Sequence, residues 1–297
     1  MRKILLAFVF AAPMALFAQD EGGGLLDLLE EEEVTNYTSA SFKTTRIINS
    51  QSIENVAEGV LDFKISHRFG RVNSGVSEFF GLDAATIRLG LDYGITDRFM
   101  IGIGRSTVQK AIDGFAKYKV LRQSTGKKTM PISLSVYSNI MVNAQMWPEP
   151  ERENYFSSRL TYTHQVLIGR KFSKATSIML MPTLVHRNLV ENLSISNDVY
   201  ALGIGGRQKI SNRVAVTAEY YYVLPDQIAD IYHDSFSIGF DIETGGHVFQ
   251  LHFTNSLGMM DKQFITETTG DWGAGDIHFG FNISRVFTLK DRNKGKE

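Results

Sequence analysis

Histidine and serine are the residues of this sequence whose types and spacing point first to chemistry. His233 and Ser235 form a His-x-Ser pair, which would place a general base and a nucleophile on one strand face, as an outer-membrane phospholipase requires. A spacing of two is common by chance, and no third residue that could orient the histidine is identifiable. A membrane hydrolase is therefore a remote alternative, and no catalytic residue is predicted.

A second histidine pair, His252 and His278, falls on neighbouring predicted strands and on the same side of both. The two imidazoles could share a metal ion, but no carboxylate at ligand spacing accompanies them. The chain also has no cysteine, which excludes thiolate metal sites and a disulfide framework. We therefore expect two separate hydrogen-bonded imidazoles, with no metal and no cofactor.

Charged residues provide the third candidate set, because they alternate with apolar residues. Between Ala85 and Tyr93, Leu89 and its apolar neighbours share one face, whereas Arg88 and Asp92 share the other. A buried strand of a soluble protein seldom carries such a row, but a transmembrane barrel turns apolar residues to lipid and polar ones to its lumen. Parity then assigns seven positive and four negative residues to the lumen: Asp62, Lys64, Arg68, Arg88, Asp92, Lys117, Lys119, Arg159, Arg207, Glu219 and Asp241.

The same alternation occurs in twelve segments, among them residues 235–242 and 277–284. Most connections between the segments alternate between tight ones, such as residues 94–97, and longer ones, such as residues 70–84. Outer-membrane barrels show this pattern, with short periplasmic turns and long external loops. The sequence therefore predicts an all-β fold, a transmembrane antiparallel up-and-down β-barrel of 12 strands, with a range of 12–14. A soluble antiparallel sandwich accounts poorly for so many strands with one polar face.

The ends of the chain differ from the barrel. Residues 1–18 have a charged start, an apolar stretch and Ala18 before Gln19, which is typical of a cleaved signal peptide. Residues 19–57 form an acidic segment expected in the periplasm, with a short helix over residues 21–34; residues 42–49 either add a strand or pack inside the barrel. The barrel is expected over residues 58–287, and residues 288–297 form a charged tail.

Charge composition limits the partners. The chain has 31 Lys and Arg residues against 32 Asp and Glu, so no polybasic surface is implied and nucleic acid is an unfavoured partner. Export and a barrel predict the outer membrane of a Gram-negative cell, with its lipid and the barrel-assembly machinery as partners. The excess of positive lumen charge favours a small anionic solute.

Several motifs resemble one known family. The runs HRFGR at residues 67–71 and FGLD at residues 80–83 are the most specific, followed by RLGLDYGITDR at residues 88–98 and GIGRS at residues 102–106. Over residues 41–287 the chain resembles the outer-membrane β-barrel proteins labelled domain of unknown function 5777. That resemblance implies an outer-membrane barrel, supplies no catalytic residue, and implies that residues 42–46 and 271–273 belong to the domain.

The sequence leaves two main hypotheses for the function of the barrel. The lumen charges either line a narrow aqueous path or pocket for a solute, or pair with one another and seal a barrel that serves as a structural or docking component. The long loops are the expected contact regions for ligands or partners, with Arg71, Asp83 and Trp272 as candidates. We expect loop 70–84, loop 258–274 or both to fold inward over the lumen.

Overall fold

The structure is a computed structural model that describes residues 33–190 and 195–290. The chain divides between Val34 and Thr35, and the fold below is that of the second unit, Thr35–Glu297. The predicted signal peptide, most of the predicted acidic helix and the last residues of the tail lie outside the described residues. The strands are β1 (Thr35–Tyr37), β2 (Val60–Arg71), β3 (Ala85–Gly94), β4 (Phe99–Ser106), β5 (Ile112–Leu121), β6 (Ser124–Gly126), β7 (Ser133–Val142), β8 (Leu160–Lys171), β9 (Thr176–Arg187), β10 (Asp198–Lys209), β11 (Val214–Val223), β12 (Phe236–Thr244), β13 (His247–Thr254) and β14 (His278–Thr288), and the helix is α1 (Asp261–Thr266).

The long strands form a closed barrel of 12, in which every neighbouring pair is antiparallel. The barrel closes where β14 pairs with β2, so that Ile283 faces Ile65. The two short strands β1 and β6 lie outside this ring and pair with each other. This architecture confirms the predicted fold class and strand number.

The barrel has an apolar outside and a polar inside. Leu89, Ile103 and Phe240 are 42%, 55% and 46% exposed, whereas Arg88 and Asp92 are 1% and 0% exposed. This is the reverse of the arrangement in a soluble protein, where large apolar side chains are buried and charged ones are solvated. The outer surface is therefore suited to lipid. Separately, none of the helices among the described residues has the length and apolar character needed to cross a membrane.

The two ends of the barrel differ in their connections. At the end that we call the tight-turn end, β12 and β13 are joined by residues 245–246. The first barrel strand, β2, begins at this end, and the last one, β14, ends there. At the opposite end, the loop end, residues 72–84 join β2 to β3 and residues 255–277 join β13 to β14. By the general rule for outer-membrane barrels, the tight-turn end is expected to face the periplasm.

Two inserts fill the lumen. Residues 41–57, which we call the plug, precede β2 at the tight-turn end, and most of them are buried. From the loop end, residues 255–268 fold inward with α1, and most of them are buried as well. The loop of residues 72–84 does not fold into the lumen, since Phe79 and Phe80 are 59% and 50% exposed.

Candidate functional site

The charged residues assigned to the lumen by parity lie inside the barrel, with one exception. Nine of the eleven are buried, at 0 to 5% exposed, and Lys119 is partly buried near the tight-turn end. Arg159 stays at the loop end, where its guanidinium donates to the carbonyl of Asn143 at 2.7 Å and stacks over the ring of Trp147. It precedes β8 in a 3-10 turn, so strand parity does not govern its direction.

Several of these charges are paired along the wall. Arg88 contacts Asp113 at 2.7 Å, Lys64 binds Asp62, and Arg207 lies 4.0 Å from Asp241. Asp113 was not among the predicted lumen residues, although it alternates with the outward-facing Ile112 and Gly114 and was accessible to the same parity argument. Buried charges are costly unless they are paired, and these pairs satisfy that requirement within the wall.

Other wall charges bind the plug, whose innermost turn is formed by Ile47 to Ser50. The Glu219 carboxylate accepts hydrogen bonds from the backbone N–H groups of Ile48, Asn49 and Ser50 at 3.2, 2.8 and 3.1 Å. It also accepts one from the Ser50 hydroxyl at 2.5 Å. A turn that points successive N–H groups at one acceptor is a favourable site for an anion, and here the anion is a carboxylate of the wall.

The carbonyls of the same turn bind amide side chains of the wall. Gln250 donates to the carbonyl of Ile47 at 2.6 Å, and Asn282 donates to that of Ile48 at 3.0 Å. Arg68 donates to the side-chain oxygen of Asn49 at 2.6 Å. The wall thus satisfies the donors and the acceptors of a turn that forms few backbone hydrogen bonds of its own.

The two arms of the plug have separate contacts. On the arm that precedes the turn, the Thr45 hydroxyl donates to Asp92 at 2.8 Å. On the arm that follows it, the Lys117 ammonium donates to the carbonyls of Ser52 and Glu54 at 3.1 and 2.6 Å. One wall lysine and one wall aspartate therefore hold opposite arms.

One side of the lumen is apolar. Leu167, Met179, Met181 and further inward residues of β8 to β11 form a buried cluster with Ile47 and Ile53 of the plug. Inward glycines make room for these isoleucines: a Cβ on Gly169 would lie 3.2 Å from Ile53, and one on Gly205 would lie 2.3 Å from Ile47. These small lumen-facing glycines agree with the parity of the wall.

The helix α1 closes the lumen from the loop end. Its residue Phe264 lies in the same apolar cluster and contacts Tyr221 of β11, with ring centroids 5.3 Å apart. Asp261 accepts a hydrogen bond from the Tyr137 hydroxyl at 2.6 Å. Burial raises the pKa of the Asp261 carboxyl, an effect opposed by the positive charge of Arg46 and by the Tyr137 hydrogen bond. The plug and the helix therefore interact within one lumen.

The loop candidates do not come together at one site. Arg71 pairs with Asp276 at 3.1 Å, and the Trp272 indole donates to the carbonyl of Phe236 at 3.0 Å. Asp83 is exposed. Arg71 and Trp272 thus anchor the loop of residues 255–277, and no shared binding pocket for the three residues is apparent from these contacts.

The two histidine hypotheses find no support in the geometry. His233 is exposed whereas Ser235 is 2% exposed, so they do not form an accessible base and nucleophile. His278 donates a hydrogen bond from Nδ1 to the carbonyl of Phe69 at 2.9 Å, so the predicted hydrogen bond is present there, whereas neither ring nitrogen of the buried His252 has a hydrogen bond of standard geometry. Among residues 33–190 and 195–290, no cluster of three or more metal-ligating side chains occurs.

A closed antiparallel barrel with an apolar exterior and a charged interior defines a transmembrane β-barrel. The chain belongs to the family described as membrane bound beta barrel domain, domain of unknown function 5777, whose model matches residues 42–287. This confirms the resemblance seen in the sequence motifs, and the matched range includes the plug. A barrel of this class lies in the lipid of the outer membrane.

Comparison with solved structures gives distant similarities to two porins and to another outer-membrane protein. The NanC porin is 11% identical, with 77% of this chain and 98% of that chain covered and a TM-score of 0.48. The KdgM porin is 9% identical (77% and 99% covered, TM-score 0.47), and Omp33 of Acinetobacter baumannii is 10% identical (77% and 99% covered, TM-score 0.40). No curated protein matches the chain. Similarities this distant transfer no solute, so function has to be derived from the lumen itself.

Proposed function

We propose that this protein is a narrow outer-membrane channel whose own plug holds it closed. The observation that carries the proposal is the contact between Glu219 and the innermost turn of the plug, where one carboxylate binds three backbone N–H groups and a hydroxyl. The contact is made by a segment that precedes the barrel in sequence. The plug continues into the barrel wall at β2, and its other end is held by the pairing of the short strands β1 and β6 outside the ring. The plug can therefore leave the lumen without breaking any strand pair of the barrel.

The chemistry of the interface supports a removable plug. Glu219, Lys117, Arg68 and Asp92 bind the plug through charge-assisted hydrogen bonds. Water can replace such bonds, because ionised groups are well solvated once a lumen fills with water. A barrel of 12 strands lies between the eight-stranded kind filled by side chains and the sixteen-stranded porins that hold an aqueous channel. With both the plug and α1 displaced, this lumen has a charged wall and room for a narrow path.

The charge balance limits the choice of solute. Adding Asp113 to the predicted lumen set and removing Arg159 changes seven positive and four negative charges to six and five. This near balance weakens the reason for an anionic solute. A small polar solute, with little preference for either sign, fits the open lumen better.

A sealed barrel that docks a partner is the second candidate. The plug and α1 meet in one buried cluster from opposite ends, which is also what a permanently filled lumen requires. The described part of the N-terminal segment begins outside the ring of strands, where Tyr37 of β1 pairs with Ser124 of β6 and carries the guanidinium of Arg122 over its ring at 4.1 Å. A partner that binds this region could act on the plug in either case.

Ion current across a planar bilayer distinguishes the two candidates. Glu219→Gln removes the charge that holds the turn, and Asp113→Asn is a matched control, since Asp113 is a buried lumen carboxylate that binds Arg88 and Asn139 of the wall. The channel proposal expects more frequent openings in Glu219→Gln than in the wild type or the control. Equal silence of all three folded proteins would favour the sealed barrel.

A further inference from the structure

The pairing of β8 with β9 is interrupted halfway along the strands. Backbone partners run from Thr161 and Arg187 to Gln165 and Thr183, and they resume at Ile168 and Leu180 in the same register. The unpaired residues between them include Pro182, which has no N–H to donate to a ladder. On its other side, Pro182 pairs with Leu202 of β10, and that ladder is continuous. The break therefore lies between β8 and β9 alone.

Side chains on the lumen side join the two strands at this break. The Gln165 amide donates to the Thr183 hydroxyl at 3.0 Å, and the Thr183 hydroxyl donates to the carbonyl of Met181 at 2.9 Å. Gln165 is 3% exposed, and its side-chain oxygen has no hydrogen-bond partner. Rotation of side chains can open such a contact, whereas opening a continuous ladder means breaking several backbone hydrogen bonds.

A groove crosses the same break on the lipid-facing side of the barrel. Its volume is about 590 Å³, and its lining includes the small side chains of Ala116, Ser138 and Pro182. Ser138 and His164 form a hydrogen bond of 3.0 Å within this lining. Polar groups on a lipid-facing surface are costly and frequently mark a functional site. The groove thus combines apolar walls with a polar pair that could bind a head group.

The lumen side of the break is apolar as well. Leu167 and Met181, both 0% exposed, lie beside the break and pack in the cluster that contains Ile47 and Ile53 of the plug. Methionine side chains adapt readily to different apolar partners. If the plug leaves, its isoleucines uncover an apolar surface directly behind the groove. Apolar surface then continues from the lumen, through the break, to the lipid.

From this continuity we propose that the wall between β8 and β9 is a lateral portal for molecules that carry an acyl chain. The inference rests on the proposed function, because the plug must move before the apolar side of the lumen can accept a chain. A compact polar solute would lose its water in the groove without gaining hydrogen bonds beyond one histidine and one serine. A second barrel docked on the groove would cover its outer side, but it would leave the apolar lumen side unexplained.

The test uses engineered cysteines, since the natural chain has none. The pair Gln165→Cys and Thr183→Cys lies next to the break, and a disulfide between them locks β8 to β9. The control pair is Thr163→Cys and Val185→Cys, the next inward-facing partners, where the ladder is intact. Both pairs are placed in a Glu219→Gln background, which loosens the plug, and the proteins are embedded in bilayer nanodiscs.

The probe is palmitic acid with a diazirine near its methyl end, and mass spectrometry locates the photolabel. We expect label on Leu167 and Met181 that is lost when the Gln165→Cys/Thr183→Cys pair is oxidised, that returns on reduction, and that is unchanged by oxidation of the control pair. Three results would each overturn the portal. The label could be confined to Ser138 and His164, or it could cross-link two barrels at the groove. The third is lumen label that is unchanged when the Gln165→Cys/Thr183→Cys disulfide forms.

Ion current from the same Glu219→Gln protein separates the two proposals. Current together with an absence of lumen label overturns the portal and leaves the channel intact. An absence of current overturns the proposed function instead, and with it the portal that rests on it.

Discussion

The side chains of Ser50 and Glu219 are joined by a hydrogen bond of 2.5 Å, although the residues are 169 positions apart in the sequence. Ser50 belongs to the plug and Glu219 to β11, so this contact links the segment before the barrel to a wall strand that does not neighbour β2. The same carboxylate binds the N–H groups of Ile48 and Asn49. Glu219 therefore forms four hydrogen bonds with the plug, more than any other wall residue described above.

Glu219→Gln is expected to expose the innermost turn of the plug to solvent. A hydrogen bond to a charged group contributes about 1.5–3 kcal/mol, and each 1.4 kcal/mol corresponds to a factor of about ten. Amide hydrogen exchange at Ile48 to Ser50 should therefore accelerate roughly tenfold or more, whereas strand amides of β11 should not change. Asp113→Asn is the control. Equal protection of the turn in wild type and Glu219→Gln would contradict the role of the carboxylate.

Gly205→Val is expected to displace the plug by steric overlap. The added Cβ would lie 2.3 Å from the side chain of Ile47, while the outward-facing neighbour Gly206 has its nearest contact at 3.8 Å. Overpacking of a buried site typically costs about 1–3 kcal/mol. Thermal unfolding should show a lower midpoint for Gly205→Val than for the control Gly206→Val, with faster exchange at Ile47. Indistinguishable midpoints and exchange rates would show that Ile47 does not occupy this space.

The sequence predicted the wall far better than its contents. Lipid outside a barrel fixes which face is apolar, so parity alone placed Arg88 and Asp92 in the lumen, and the structure agrees. The predicted lumen position of Arg159 was wrong because this residue lies in a 3-10 turn, where side chains no longer alternate. Strand parity predicts the direction of a side chain only within a regular strand.

The plug was predicted only as one of two options for residues 42–49. It has no period of two, and its partners are wall residues such as Glu219 and Gln250, about 170 and 200 positions away. One signal was nevertheless present in the sequence. Inward-facing glycines leave space in a lumen, and Gly169 of β8 and Gly205 of β10, which lie on either side of β9, border the two plug isoleucines.

Acidic conditions are expected to hold α1 in the lumen more firmly. Burial raises the pKa of Asp261, so the inserted helix binds a proton more tightly than a displaced, solvated helix does. Insertion is therefore favoured below the ordinary carboxyl pKa of about 3.9, and this advantage is lost as the pH rises through the raised value. Exchange of the α1 amides, corrected for intrinsic rates, should slow on acidification in wild type and not in Asp261→Asn. A slowing of equal size in both proteins would contradict the assignment to Asp261.

The open channel is expected to discriminate weakly between cations and anions. Glu219→Gln removes one of the five negative lumen charges and leaves six positive and four negative ones, so its reversal potential in a potassium chloride gradient should show only a slight anion preference. Adding Lys117→Glu and Lys119→Glu should shift it toward cation selectivity, since both side chains face the lumen. If the reversal potential is the same with and without these two substitutions, the current does not pass along this wall.

Single-channel current from a protein with a reversible lock on its plug tests the central claim most directly. The Asn49 amide donates to the Ser237 hydroxyl at 3.1 Å, so Asn49→Cys and Ser237→Cys place two thiols at a natural contact between plug and wall. In the Glu219→Gln background, the account predicts a silent channel when this pair is oxidised and openings when it is reduced. Openings that continue with the plug covalently fixed to the wall would contradict it.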